Sequence, residues 1–126
     1  MKRLFIALAL TALVLGAAFW EFHYIGRQAD RYTGRIEEID SLLKKNDTAA
    51  ALTLCRETER DWDSEVEKIY TLLSHDYADT IGSALSKMRA HLEHNNPGMY
   101  FVESTGAKKG LASIKGSEYP LLENIL

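Results

Sequence analysis

The side chains best suited to chemistry in this chain are its four histidines. His75 and Asp79 stand four residues apart and His91 and His94 three apart, so on a helix each pair shares a face at a spacing compatible with metal ligation. Each pair supplies only two ligands, and zinc sites take at least three from the protein. Along one continuous helix the pairs would be about 24 Å apart at about 1.5 Å per residue, too far to share an ion. No Glu-x-x-His occurs, so the usual di-iron constellation of helical bundles is missing. The histidines read as surface or capping residues. The "GAKKG" stretch, Gly106 to Gly110, has no following Gly-Lys-Ser/Thr and is not a phosphate loop. Cys55 is the only cysteine, which excludes an intrachain disulfide framework and a cysteine-based zinc site. On an apolar helical face it reads as a small core residue. The expectation is a protein with no catalytic, cofactor-binding or metal-binding residues, and not an enzyme.

The elements that would position any site begin with the amino terminus, "MKRLFIALALTALVLGAAFW". Lys2 and Arg3 precede a 17-residue uncharged run from Leu4 to Trp20, which marks a membrane-directed segment. Gly16 and Ala18 fit the minus-three and minus-one positions of a signal-peptide cut after Ala18. Against cleavage, the apolar character continues through Phe19, Trp20 and Phe22 to Tyr24 and Ile25, with no Pro or polar segment to open the backbone. Those aromatics also form the cluster expected where a spanning helix leaves the hydrocarbon. The expected organisation is a membrane anchor over residues 1–25 and an extracytoplasmic helical domain over 26–126. The basic pair abutting the span places the amino terminus in the cytoplasm and the rest outside the cell membrane. Release after cleavage near Ala18 is the alternative. Ala12 and Gly16 form a small-x-x-x-small pair in the span, compatible with a homo-oligomer.

Past the span, Ile25, Ala29, Tyr32, Ile36, Ile39 and Leu43 follow at spacings of 4, 3, 4, 3 and 4, a heptad-like seam on one helical face. The same register runs back through Phe22, Ala18, Leu15, Thr11, Leu8 and Leu4, so one helix can run from the bilayer to Lys45. Asn46 and Asp47 end it, and Asp47 is a good N-cap for the next helix. That second helix is expected to pack antiparallel on the first through Leu52, Cys55, Trp62, Val66, Ile69 and Leu73, with Glu59 as a polar intruder. The charges of "RETERDWDSEVEK" read as solvated neighbours along its outer face. A break near Asp76 or Asp79 introduces a third face of Tyr77, Ile81, Leu85, Met88 and Leu92, unless helices two and three form one bent helix. "HNNPG" ends it, with Asn96 capping and Pro97 at the first position of a new helix. Tyr100, Glu103, Ala107, Leu111 and Ile114 suggest a fourth helix, weakened by Gly98, Gly106 and Gly110. "LLENIL" is an apolar tail expected to pack on the bundle. The fold class is thus all-α, an N-terminal transmembrane helix followed by a small antiparallel bundle of three or four helices.

Two turns resemble each other: Leu43 followed by Asn46-Asp47, and Leu92 followed by Asn95-Asn96, an offset of about fifty residues compatible with two stacked helical hairpins. Setting aside Lys2 and Arg3 leaves 13 of the 15 basic residues against 18 acidic ones, a net charge of −5, which argues against nucleic acid as a partner. The expected partners are the lipid bilayer and another membrane or envelope protein. An extracytoplasmic ligand-sensing or carrier domain is the alternative.

The basic dipeptide, the single apolar span, the Asn/Asp turn before an Ala-Leu helix with a Trp, the His75-Asp76 joint after "YTLLS" and the ending "LENIL" occur together. In this the chain resembles the domain of unknown function 4363, a family of small membrane-anchored proteins of clostridia and related spore-formers. The resemblance implies a more regular final helix than the glycines suggest. It implies no activity, substrate or cofactor.

Overall fold

The computed structural model describes residues 1–70 and 75–116, and among them every element is helical. Helix α1 spans Lys2–Lys44, α2 Thr48–Tyr70, α3 His75–Glu93 and α4 Pro97–Gly116. The apolar segment and the first bundle helix are one uninterrupted helix, as the shared register requires. Its character changes along its length. From Leu4 to Trp20 only Ala18 is even half-buried, whereas Ile25, Ala29, Tyr32, Ile36, Ile39 and Leu43 are all buried. The seam read from the sequence is therefore the face that α1 gives to the bundle. Each fully buried Ile or Leu contributes roughly 1.5–3 kcal/mol relative to exposure.

The turn after α1 is a Schellman motif. Asn46, in the left-handed region at φ 62°, donates its N–H to Leu43 O, and Asp47 donates to Leu42 O. Asp47 then caps α2, its Oδ1 accepting from Ala50 N at 3.3 Å. The second turn repeats this arrangement residue for residue. Asn95, at φ 56°, donates to Leu92 O, Asn96 donates to His91 O, and Asn96 Oδ1 accepts from Met99 N at 3.3 Å. The likeness of the two turns is thus structural. Asparagine suits both positions because it tolerates left-handed backbone better than most non-glycine residues.

Each of α1 and α3 packs against both α2 and α4. Arg31 and Asp30, near the start of the part of α1 that packs in the bundle, meet Glu65 late in α2 and Lys115 late in α4, and Trp62 late in α2 meets Ala78 early in α3, so neighbouring helices run antiparallel. The result is a four-helix, up-down-up-down bundle. Helices α2 and α3 form a hairpin and are not one bent helix. Helix α3 begins at His75, slightly before the break expected at Asp76 or Asp79.

Three registers differ from the sequence reading. In α2 the buried positions are Ala51, Cys55, Thr58 and Trp62, while Leu52 and Val66 are half-buried. Thr58 is the polar residue in the seam, satisfied by donating to Leu54 O at 2.7 Å, and Glu59 sits at the flank, where it meets Arg89. In α3 Ala78 takes the place expected for Tyr77, which is exposed. In α4 Ser104 is buried and Glu103 half-buried, so the seam reads Tyr100, Ser104, Ala107, Leu111 and Ile114. Small residues fit these close-packed positions better than the larger neighbours read into them. The side chains of Ile69 and Leu73 and the "LLENIL" segment lie outside the described residues.

Trp62 is the joint between the first three helices. Its ring meets Tyr32 edge-on at 5.0 Å between centroids, and its Nε1 donates to Ala78 O at 3.3 Å. Gly82 makes room for it, since a Cβ there would come within 3.2 Å of the Trp62 Nε1.

Candidate functional site

The charges of α2 are not a solvated face alone. Arg35 pairs with Asp61, Arg31 with Asp61 and Glu65, Arg56 with Glu93, and Arg89 with both Glu59 and Glu93. Helix α2 thus bridges α1 on one flank and α3 on the other. Hydrogen bonds from Arg89 and Arg56 hold the Glu93 carboxyl below the usual carboxylate range. Partly exposed pairs of this kind contribute little each, roughly 0.2–1 kcal/mol, but they fix which helices are neighbours.

The polar cluster inside the bundle centres on Asp40, which is buried in α1. Its Oδ1 accepts from Tyr100 Oη at 2.8 Å and from Ser104 Oγ at 2.6 Å, and its Oδ2 pairs with Lys108 Nζ at 2.8 Å. All three donors come from α4. Tyr100, Ser104 and Lys108 recur every four residues, so one face of that helix grips one carboxylate. Burial and the Asp40 carboxylate push the Tyr100 phenol well above its usual range. A serine and a lysine beside a carboxylate invite a hydrolytic reading, but Ser104 is 1% exposed and its hydroxyl is committed to Asp40. The cluster is a clamp between α1 and α4.

Cys55 is fully buried, and burial pushes its thiol up to about 12, which makes it unreactive near neutral pH. His75 opens α3, while His91 and His94 stand at its other end, so the two pairs are a helix length apart. His94 Nδ1 lies 2.8 Å from Ala90 O, bound to its own helix. Among the described residues no three His, Cys, Asp or Glu side chains gather where they could hold a metal ion.

The most conspicuous surface is the amino-terminal part of α1. Leu4, Phe5, Leu13, Leu15, Phe19 and Trp20 are each more than 60% exposed. This is the one helix among the described residues long and apolar enough to cross a membrane. Where it approaches the bundle, Phe19 stacks on His23 and Trp20 on Tyr24, each one helical turn apart.

An antiparallel four-helix bundle growing directly from an apolar helix defines the class of protein. The chain belongs to the family described as Domain of unknown function (DUF4363), whose model matches residues 19–125. The match takes in the bundle and leaves out the first 18 residues. No curated protein and no solved structure matches the chain.

Asp40 is the residue that the sequence reading passed over. Its signal was present: Ile36, Asp40 and Leu43 are spaced 4 and 3, as are Tyr100, Ser104 and Ala107. A carboxylate and a hydroxyl each sit at core spacing, on helices that pack together.

Proposed function

We propose that this protein is a single-pass membrane-anchored helical module of the cell envelope that acts by binding another membrane or envelope protein, without catalysis. The amino terminus lies in the cytoplasm and the bundle outside. The observation that carries the reading is the division of α1 into an exposed apolar part and a buried part with no break between them. Exposed apolar surface on that scale calls for lipid or protein to cover it. Lys2 and Arg3, directly before the span, favour the stated orientation.

The match beginning at Phe19 favours a second reading, in which cleavage after Ala18 releases a sensing or carrier domain. A carrier needs a pocket of roughly 300–1,000 Å³. The cavity lined by Tyr24, Ile25, Gln28, Ala29, Trp62, Leu111 and Ile114 has about 10 Å³, room for one water molecule at most. The larger recess, about 370 Å³ beside Asp76, Tyr77, Thr80, Gly110 and Ser113, is lined mostly by exposed residues, so the space available supports binding at the surface over carriage inside.

Affinity capture from detergent-solubilised membranes tests the proposal. A tagged full-length chain is expected to retain a specific protein. Replacing His75, Asp79, His91 and His94 together should leave capture intact, and charge reversal at exposed residues of α2 such as Glu57, Arg60 and Asp63 should abolish it. Stoichiometric metal that is lost with the histidines, together with loss of capture, would overturn the reading.

A further inference from the structure

Helix α4 is the richest in glycine for its length of the four. It carries Gly98, Gly106, Gly110 and Gly116 in 20 residues, whereas α1 has Gly16, Gly26 and Gly34 in 43, α2 has no glycine and α3 only Gly82, which accommodates Trp62. Each internal glycine weakens a helix roughly fivefold in its equilibrium relative to alanine, about 1 kcal/mol. Gly110 has a packing reason, because a Cβ there would come within 3.0 Å of Ile81 Cδ1. Gly106 has none: it is exposed, its φ is negative, and a Cβ would meet nothing within 4 Å.

The way α4 is held to α1 is also distinctive. Elsewhere the ion pairs between helices, such as Arg35 with Asp61 and Arg89 with Glu59, sit at the flanks, and the core joint of Trp62 on Tyr32 is mainly apolar. Across the α1/α4 interface the central contact is Asp40 with Tyr100, Ser104 and Lys108, and a second is Asp30 with Lys115. Polar groups that part can be rehydrated, so separating them costs less than exposing an equal apolar area. Lys108 is already one-third exposed, which gives water a way to the clamp.

We propose that α4 is a releasable helix, which undocks and unwinds as a unit while α1, α2 and α3 stay packed around Trp62. Release uncovers the inner faces of α1 and α3 next to Asp40 and Ile81. The device rests on the bundle alone and stands whether or not the chain is anchored.

Hydrogen exchange followed by mass spectrometry on the full-length protein in detergent micelles tests it. Amides of residues 102–114 are expected to show at least tenfold less protection than those of residues 53–62. Gly106→Ala should raise protection in α4 about fivefold and leave α2 unchanged, and Asp40→Asn should lower it in α4 alone. Equal protection of the two helices overturns the proposal. So does a Gly106→Ala effect that is absent or that spreads equally over both.

Discussion

The Tyr100 hydroxyl donates to the Asp40 carboxylate at 2.8 Å across the interface of the first and last bundle helices, while the equally buried Tyr32 hydroxyl has no partner among the described residues. The two tyrosines should therefore respond differently to loss of their oxygen. Tyr100→Phe removes one of three donors from a buried carboxylate and should destabilise the fold by about 1–3 kcal/mol. Tyr32→Phe removes an unsatisfied polar atom and should be neutral or slightly stabilising. Urea unfolding followed by circular dichroism measures both, and equal losses would contradict the assigned hydrogen bonding.

Trp62 is the largest side chain at the meeting point of α1, α2 and α3, so its removal leaves a cavity that three helices must close. Trp62→Ala should cost about 3–5 kcal/mol, a large part of what so small a domain holds. Gly82→Val should also destabilise it, through collision with the Trp62 ring. Thermal melts read by circular dichroism should show loss of most cooperative unfolding for Trp62→Ala. An unchanged curve would mean that the ring is not in the core.

Alkaline pH should loosen the bundle. Burial raises the Cys55 thiol from 9.0 to about 12 and the Tyr32 phenol from 10.0 to about 12. Above about pH 9 the unfolded chain releases these protons while the folded chain retains them, so the unfolded state is favoured increasingly as pH rises. The melting temperature should be level from pH 7 to about 8.5 and fall from about pH 9 towards 12. Cys55→Ala should flatten the lower part of that fall, and a level profile through pH 11 would contradict the burial of both groups.

The helices and their order were legible because apolar residues recur at 3 and 4 over long stretches, as in Ile25 to Leu43, where periodicity alone selects the buried face. The turns were legible through Asn46 and Asn95, whose type suits left-handed backbone. The registers of α2, α3 and α4 were harder, because Thr58, Ala78 and Ser104 are too small or too polar to stand out, and larger neighbours drew the seam one position aside. Glu59 and Arg89 are thirty residues apart, and their ion pair depends on how α2 and α3 align, which neither helix encodes alone. The Asp40 clamp was obscured for the same reason, since a buried carboxylate makes sense only once Tyr100, Ser104 and Lys108 face it.

The proposal that the chain is held in the membrane by its own uncleaved amino terminus can be tested by carbonate extraction combined with intact-mass measurement of a carboxy-terminally tagged protein expressed in bacteria. The protein should stay with the membrane pellet at full-length mass. A soluble product whose mass corresponds to a chain beginning at Phe19 would contradict it.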